Sequence, residues 1–193
     1  KQFKKRNNLW FEKFVKISRK KKTFFFDKEI NIKKIEKKIN FKISINQNFI
    51  EYSEVGFEYL REISEIIKKN NGGLLLIDYG YTNKKMKNTL KAISNHKFAN
   101  ILEDIGNIDI THNINFELFK KFIDKMGGLT NNLTTQKKFL IKLGINQRAE
   151  IISKNKSFLK KADIFLRLKR LIDKKQMGTL FKVMFIKKKN NNF

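Results

Sequence analysis

The chain contains no cysteine and no proline. Without cysteine there is no disulfide framework, no thiolate nucleophile and no metal site built on sulfur. Histidine is scarce: His96 and His112 are the only two, and they lack ligand-like spacing, so no metal is expected. Acids are few, with 18 Asp and Glu against 44 Lys and Arg and a net charge of +26. Such a charge ordinarily points to nucleic acid or an anionic membrane surface. The lysines are spread along the whole chain, however, without a Gly/Arg-rich or Ser/Arg-rich arm, and they accompany an excess of Asn, Ile and Phe. An AT-rich coding sequence produces that combination, so the charge reads as a solvated face shaped by composition, with nucleic-acid binding the lesser reading. No apolar run reaches bilayer length, and residues 1–22 interleave charges with apolar positions, unlike a secretory signal. A soluble intracellular protein without a membrane span is expected. There is no Gly-x-Gly-x-x-Gly, no phosphate-binding loop, no nucleophile elbow and no paired-carboxylate signature.

What is present is enough for one domain: 193 residues can enclose a full core. The chain opens at Lys1 rather than at a methionine, which suggests a piece of a longer protein. Its centre is residues 72–81 (GGLLLIDYGY). The unbroken apolar run Leu74, Leu75, Leu76, Ile77 predicts a strand buried on both faces, as in a parallel sheet covered by helices. Asp78, Tyr79 and Gly80 then fall at the carboxyl edge, where open α/β sheets bind ligands.

Before this strand, residues 9–18 (LWFEKFVKIS) and 23–27 (TFFFD) are aromatic, β-prone runs on either side of a basic turn, the pattern of a hairpin. Trp10 and Phe24 to Phe26 can be read as a base-stacking platform, but packing of the hairpin onto the core is preferred. Residues 30–39 carry a short helical stripe through Ile32, Ile35 and Ile39. Ser53 caps a longer helix to about Asn70, with Val55, Tyr59, Ile63, Ile66 and Ile67 on one face. Thr82 to Lys87 form a polar loop leaving the strand. Residues 88–96 and 97–110 read as irregular, with one or two short strands. Asn115 caps a helix over 116–126 that Gly127 and Gly128 end. A strand over 129–134, a helix over 136–143 capped by Thr135 and further turns from Asn146 to Ile152 follow. The helix over 157–172 should turn Phe158, Ala162, Phe165, Leu168 and Ile172 inward. A β-rich run, residues 179–186 (TLFKVMFI), precedes a basic tail over 187–193 expected to be disordered.

Asp78 is the sharpest single candidate. A carboxylate at the end of a buried strand costs several kcal/mol to desolvate unless it is partnered. Two partners remain open, a cationic or hydrogen-bonding substrate group, or a structural bond to a backbone amide or to Arg148. Thr111 and His112, after Asp109, form a polar cluster that reads as capping. His96 is a general base by type, though a loop histidine more often serves as a surface residue. Gln136 and Arg148 flank the helix ended by Gly144.

In this order, GGLLLIDYGY, NTLKAISNHKFANILED, IDITHNINFELF, LTTQKKFLIKLGINQRAEII and MGTLFKVM, preceded by EYSEVGFEYLREI, the chain resembles the carboxyl-terminal half of the MidA family of S-adenosylmethionine-dependent methyltransferases. The likeness runs from Lys1 to about Ile186. It implies an α/β fold: the carboxyl-terminal part of a Rossmann-like class I methyltransferase sheet with flanking helices and an amino-terminal β-hairpin, over 1–186. It also implies that residues 129–134 and 179–186 are the last two strands of that sheet. Asp78, Tyr79, Gly80, His96, Asp109, Thr111, Gln136, Gly144 and Arg148 match the family pattern, and Asp78, Tyr79, Gly80, His96, Thr111, Gln136 and Arg148 are the substrate-binding candidates. Asn113 and Asn115 depart from the family's His and Asp, and Lys87 from its small turn residue.

The implied activity is methyl transfer from S-adenosylmethionine to a protein arginine, with a respiratory complex I subunit as the partner, in the mitochondrial matrix of a eukaryote or the cytoplasm of a bacterium. The family's glycine-rich turn and acidic ribose-binding strand end are not among these residues, so no cofactor-binding residue is assigned. Two rival readings are a non-catalytic assembly or binding factor on the same fold and an RNA-associated basic protein. Calorimetric titration of the 193-residue chain with S-adenosylmethionine should give no binding isotherm; clear micromolar binding would overturn the expectation.

Overall fold

The computed structural model describes residues 1–20 and 22–189. In chain order the elements are β1 (Gln2–Arg6), β2 (Leu9–Ile17), β3 (Thr23–Ile30), α1 (Ile32–Ile39), β4 (Phe49–Glu51), α2 (Glu54–Asn70) and β5 (Gly73–Tyr81). Next come β6 (Lys91–Ser94), β7 (Lys97–Ala99), β8 (Asp109–Thr111), β9 (Ile114–Asn115), α3 (Phe116–Met126) and β10 (Leu129–Thr135). The chain continues through α4 (Gln136–Lys142), α5 (Ile145–Ser153), α6 (Phe158–Ile172), α7 (Met177–Leu180) and β11 (Phe181–Lys188). The strands form three sheets, ordered β3-β2-β1-β4, β10-β11-β5-β9 and β7-β6-β8.

Local chemistry explains most boundaries. Asn7 and Asn8 both take positive φ, 46° and 63°, the two-residue turn that lets β1 and β2 pair as a tight hairpin. Ser53 accepts the Gly56 amide, Asn115 the Leu118 amide and Thr135 the Lys138 amide, each capping the helix it opens. The predicted hairpin is β2 against β3. β10 and β11 lie side by side next to β5, as the resemblance implies for the last two strands.

The core joins α2, α3 and the first sheet through aromatic rings. Phe57 lies 4.9 Å from Phe122 and 5.2 Å from Phe119, edge-on to both, with Tyr52 at 5.2 Å. Edge-to-face geometry suits the ring quadrupoles, adding about 0.5–1.5 kcal/mol per pair beyond burial. Phe3, Ile50, Phe116, Ile123, Met184 and Ile186 fill the space around them and are fully buried.

The central strand differs from its expectation. β5 runs antiparallel to β11 along 73–79 and meets β9 in parallel only at Gly80 and Tyr81. Leu74 and Leu76 face α2 and α3, whereas Leu75 and Ile77, on the other face, are each 45% exposed. The apolar run therefore has one covered face here. A run of leucines gives the hydrophobicity of both faces but not whether a layer lies over each.

Other corrections have similar causes. The inward face of α2 is Phe57, Leu60, Ser64 and Ile67, while Val55, Tyr59 and Ile66 are exposed; two apolar stripes share this helix, and the Phe57 ring cluster selects the buried one. In α6, Ile164, Leu168, Leu171 and Ile172 are half-buried, but Phe158 and Phe165 of the predicted stripe are exposed. Phe24, Phe25 and Phe26 do not pack the hairpin onto the core; all are exposed. The reason is length: β1 pairs β2 only through residues 9–12, so the rest of the β2–β3 arm runs past the core. Residues 88–110 hold β6, β7 and the start of β8, which form their own small sheet. Thr179 and Leu180 end α7 rather than start the last strand, and Lys187 and Lys188, assigned to the tail, belong to β11. Residues 190–193 of that tail lie outside the described residues.

Two substitutions test this packing. A Cβ on Gly80 would stand 2.5 Å from the Phe116 ring and 2.6 Å from the Ile114 carbonyl, so Gly80→Ala should lower stability by about 1–3 kcal/mol in urea denaturation. The Ser64 hydroxyl is buried in α2 and has no hydrogen-bond partner among the described residues. Ser64→Ala should therefore raise stability by about 1 kcal/mol, read by the same unfolding curve.

Candidate functional site

At the carboxyl end of β5 a cavity of about 240 Å³ opens between the first sheet, the start of α3 and the segment before it. Its walls are largely apolar, with Val15, Phe25, Phe57, Leu90 and Phe119 among them, and its polar side chains include Gln2, Glu51, Tyr81, His112, Asn113 and Asn115, with Tyr52 and Ser53 beside them. Lys1 and Lys13 also border it, and Glu51 is the only acid among the lining residues.

The sequence places these groups by strand ends and caps. β4 is three residues long, and its last residue, Glu51, pairs across to Gln2 at the start of β1. Glu51 Oε1 accepts a bond from Gln2 Nε2 at 2.9 Å, and Gln2 Nε2 also donates to Asn88 Oδ1 at 2.8 Å. The Thr89 hydroxyl donates to Glu51 Oε2, and the Thr89 amide points at both carboxylate oxygens at 3.3 and 3.4 Å. Thr89 Oγ1 in turn accepts the Asn113 amide at 2.9 Å. Three neutral donors, Gln2 Nε2, the Thr89 hydroxyl and the shared Thr89 amide, thus make four contacts to the two oxygens and fix the Glu51 carboxylate at the cavity wall. Burial pushes the Tyr81 phenol above its ordinary pKa, with hydrogen bonds to the Lys87 amide and Asn115 opposing it. It stays protonated at neutral pH, available as a donor at the cavity wall.

None of the seven candidates named from sequence is in the lining of this cavity. Asp78 is exposed, and its Oδ1 accepts the amide of Tyr79 at 2.6 Å. Tyr79 packs on Phe181 with ring centroids 4.1 Å apart on the uncovered face of β5. Gly80 is buried under the Phe116 ring. His96 is exposed in the β6–β7 turn at φ 62°. Thr111 pairs with Lys91 in the small sheet. Gln136 is buried and donates to the Leu171 carbonyl at 2.9 Å, tying α4 to α6. Arg148 is exposed on α5. Chain neighbours of the candidates, Tyr81, His112 and Asn113, reach the cavity instead.

Glu51, Gln2 and Thr89 escaped the sequence reading because they lie 24 to 86 residues from their partners. The one available signal was an isolated glutamate between Ile50 and Tyr52 in an apolar strand. Among the described residues no group of three or more His, Asp or Glu could hold a metal. No helix among them is long and apolar enough to cross a membrane. Gly80, at the carboxyl end of β5, is covered by the Phe116 ring and leaves no open backbone for the close approach that a glycine-rich cofactor turn provides.

Residues 1–134 match the family described as "Putative S-adenosyl-L-methionine-dependent methyltransferase". The protein named protein arginine methyltransferase NDUFAF7, mitochondrial, of Danio rerio is 25% identical over 125 residues, 63% of this chain and 28% of that protein. Two solved structures of one superfamily from Burkholderia thailandensis share the fold, each at 21% identity and across 100% of this chain. The first, of an uncharacterized protein, has a TM-score of 0.78 and is covered over 52% of its length. The second, bound to S-adenosyl-homocysteine, has a TM-score of 0.77 and is covered over 50%. The chain thus spans about half the length of these solved relatives and a smaller share of the curated one. Removing the carboxylate that organises the cavity should be costly. Glu51→Ala leaves Gln2 Nε2 and the Thr89 hydroxyl short of acceptors and should lower stability by about 2–3 kcal/mol, measurable as a lower denaturation midpoint with unchanged slope.

Proposed function

Because the chain belongs to this family of S-adenosyl-L-methionine-dependent methyltransferases, we propose that it forms the acceptor-binding part of an enzyme that methylates an arginine side chain of a protein. The observation that carries the reading is the cavity at the end of β5, a largely apolar space with Glu51 as the single acid in its lining. A guanidinium on an aliphatic stem is amphipathic in the same way: its stem gains from apolar walls, and its fork pairs with a carboxylate. Methyl transfer gains most from holding the acceptor in one orientation, and Glu51, itself fixed by Gln2 and Thr89, is suited to that task. The name of the zebrafish relative, a protein arginine methyltransferase, supports the same acceptor.

In this reading the cofactor is held by residues corresponding to the part of the solved relatives that this chain does not span. The acceptor is a respiratory complex I subunit, and the protein works in the mitochondrial matrix of a eukaryote or the cytoplasm of a bacterium; the family resemblance supports both extensions. Asp78 is the second carboxylate at this edge of the sheet, outside the cavity lining.

The test uses the longest reading frame that contains this chain, incubated with methyl-labelled S-adenosylmethionine and an extract of the source cells, followed by mass spectrometry of labelled proteins. Methylated arginine is the expected product. Label confined to lysine or carboxyl groups, or cofactor binding without any transfer, would refute the proposal. In the same enzyme Glu51→Gln should raise the KM for the acceptor protein roughly tenfold while the KM for S-adenosylmethionine stays put.

A further inference from the structure

Helix α6 carries two apolar stripes and the fold uses only one. Ile164, Leu168, Leu171 and Ile172 turn toward the rest of the helical layer and are half-buried; α6 packs there against α4, α5 and α7. Phe158, Leu159, Phe165 and Leu166 follow the spacing i, i+1, i+7, i+8, which places them together on another face, around the half-buried Ala162. That face is uncovered: Phe158 is 82% exposed, Leu159 78%, Leu166 66% and Phe165 44%. No residue of α6 is fully buried, so the helix spends more apolar surface on water than on the core. Scattered surface leucines are ordinary, whereas a contiguous apolar stripe on one helix marks a contact surface.

The charges around the stripe identify what covers it. In helical projection Lys161 and Arg170 border it on its two sides, and Lys169 stands one turn beyond Leu166. The only acid on the helix, Asp163, is taken up by Arg167 at 2.9 Å, so the exposed face presents unopposed positive charge beside its apolar residues. Lys154 and Lys156, just ahead of the helix, are exposed as well. A second copy of the chain would bring two basic rims together. A nucleic acid would satisfy the cations and provide no apolar phase for Leu159 and Leu166. A single acidic helix would meet only the rim, although the positive charge extends over a chain of net +26.

We infer that α6 is a peripheral docking face for an anionic lipid surface, with Phe158, Leu159 and Leu166 entering the headgroup–acyl boundary and the flanking lysines and arginines meeting the lipid phosphates. Cations near a negative leaflet and apolar side chains at its interface act together in such helices, and neither alone gives stable attachment. The helix lies on the surface and does not span it, consistent with the lack of any spanning helix among the described residues. This inference is independent of the methyl acceptor.

The experiment is co-sedimentation of the 193-residue chain with vesicles of phosphatidylcholine alone and of phosphatidylcholine containing about one-third phosphatidylglycerol. Binding to the anionic vesicles only is expected, with affinity reduced roughly tenfold or more in the double variant Phe158→Asp/Leu166→Asp, whose sites are exposed and whose fold circular dichroism can check. Leu159→Trp should show a blue-shifted indole emission on those vesicles and no shift with a single-stranded oligonucleotide. Failure to sediment would overturn the inference. So would vesicle binding that the double variant leaves unchanged, tighter binding to the oligonucleotide than to vesicles, or a chain that dimerises in solution through the same residues.

Discussion

One carboxylate holds the three sheets in register. Glu51 closes β4 in the first sheet and takes Gln2 of β1 on one oxygen. On the other it takes Thr89, two residues ahead of β6 in the small sheet. Thr89 then receives the amide of Asn113, which leads directly into β9 beside β5. The links are hydrogen bonds to a charged acceptor, stronger than neutral ones, and they converge where the cavity opens. The same group thus serves stability and, in the proposed function, recognition. The carboxylate is fixed by the fold before any acceptor arrives, so little orientation entropy remains to be lost on binding.

Around this knot the molecule is covered unevenly. The aromatic cluster of Phe57, Phe119 and Phe122 seals one face of the β5 sheet. On the opposite face Leu75, Ile77, Tyr79 and Phe185 remain partly exposed, and along 73–79 β5 has a hydrogen-bonded neighbour on one edge only among the described residues. The chain spans about half of the solved relatives it superimposes on. The exposed stripe of α6 is distinct from that face: it lies on a helix between β10 and β11, outside the sheet, and its rim is basic rather than apolar.

Local signals were legible to the residue in several places. Ser53, Asn115 and Thr135 are the caps they were read as, because a side-chain oxygen and the next turn of amides lie within four residues of one another. The β2–β3 hairpin and the order of the last strands were likewise readable, from turn chemistry and from an ordered set of motifs. The inward faces of α2 and α6 were legible only in part: Ile63, Ile67, Leu168 and Ile172 turn inward as read, whereas Val55, Tyr59, Ile66, Phe158 and Phe165 do not. Each helix carries more apolar positions than one face can hold, and a period of 3.6 does not say which stripe meets a neighbour. Asp78 attracted notice as a polar residue ending an apolar strand, yet its bond is to the amide beside it.

The sequence by itself determined the class of the fold, its capped helices, the absence of cysteine chemistry and the family to which residues 1–134 belong. All of these depend on composition, near-neighbour contacts and ordered motifs. Only the tertiary structure decided that Glu51 would be the acid of the cavity, that Tyr81, His112 and Asn113 rather than their neighbours would reach it, and that α6 would leave Phe158 and Leu166 in water. Those outcomes turn on which distant surfaces meet. Gln2 and Asn88 are 86 residues apart, and no local pattern encodes a contact whose two halves are placed by different sheets.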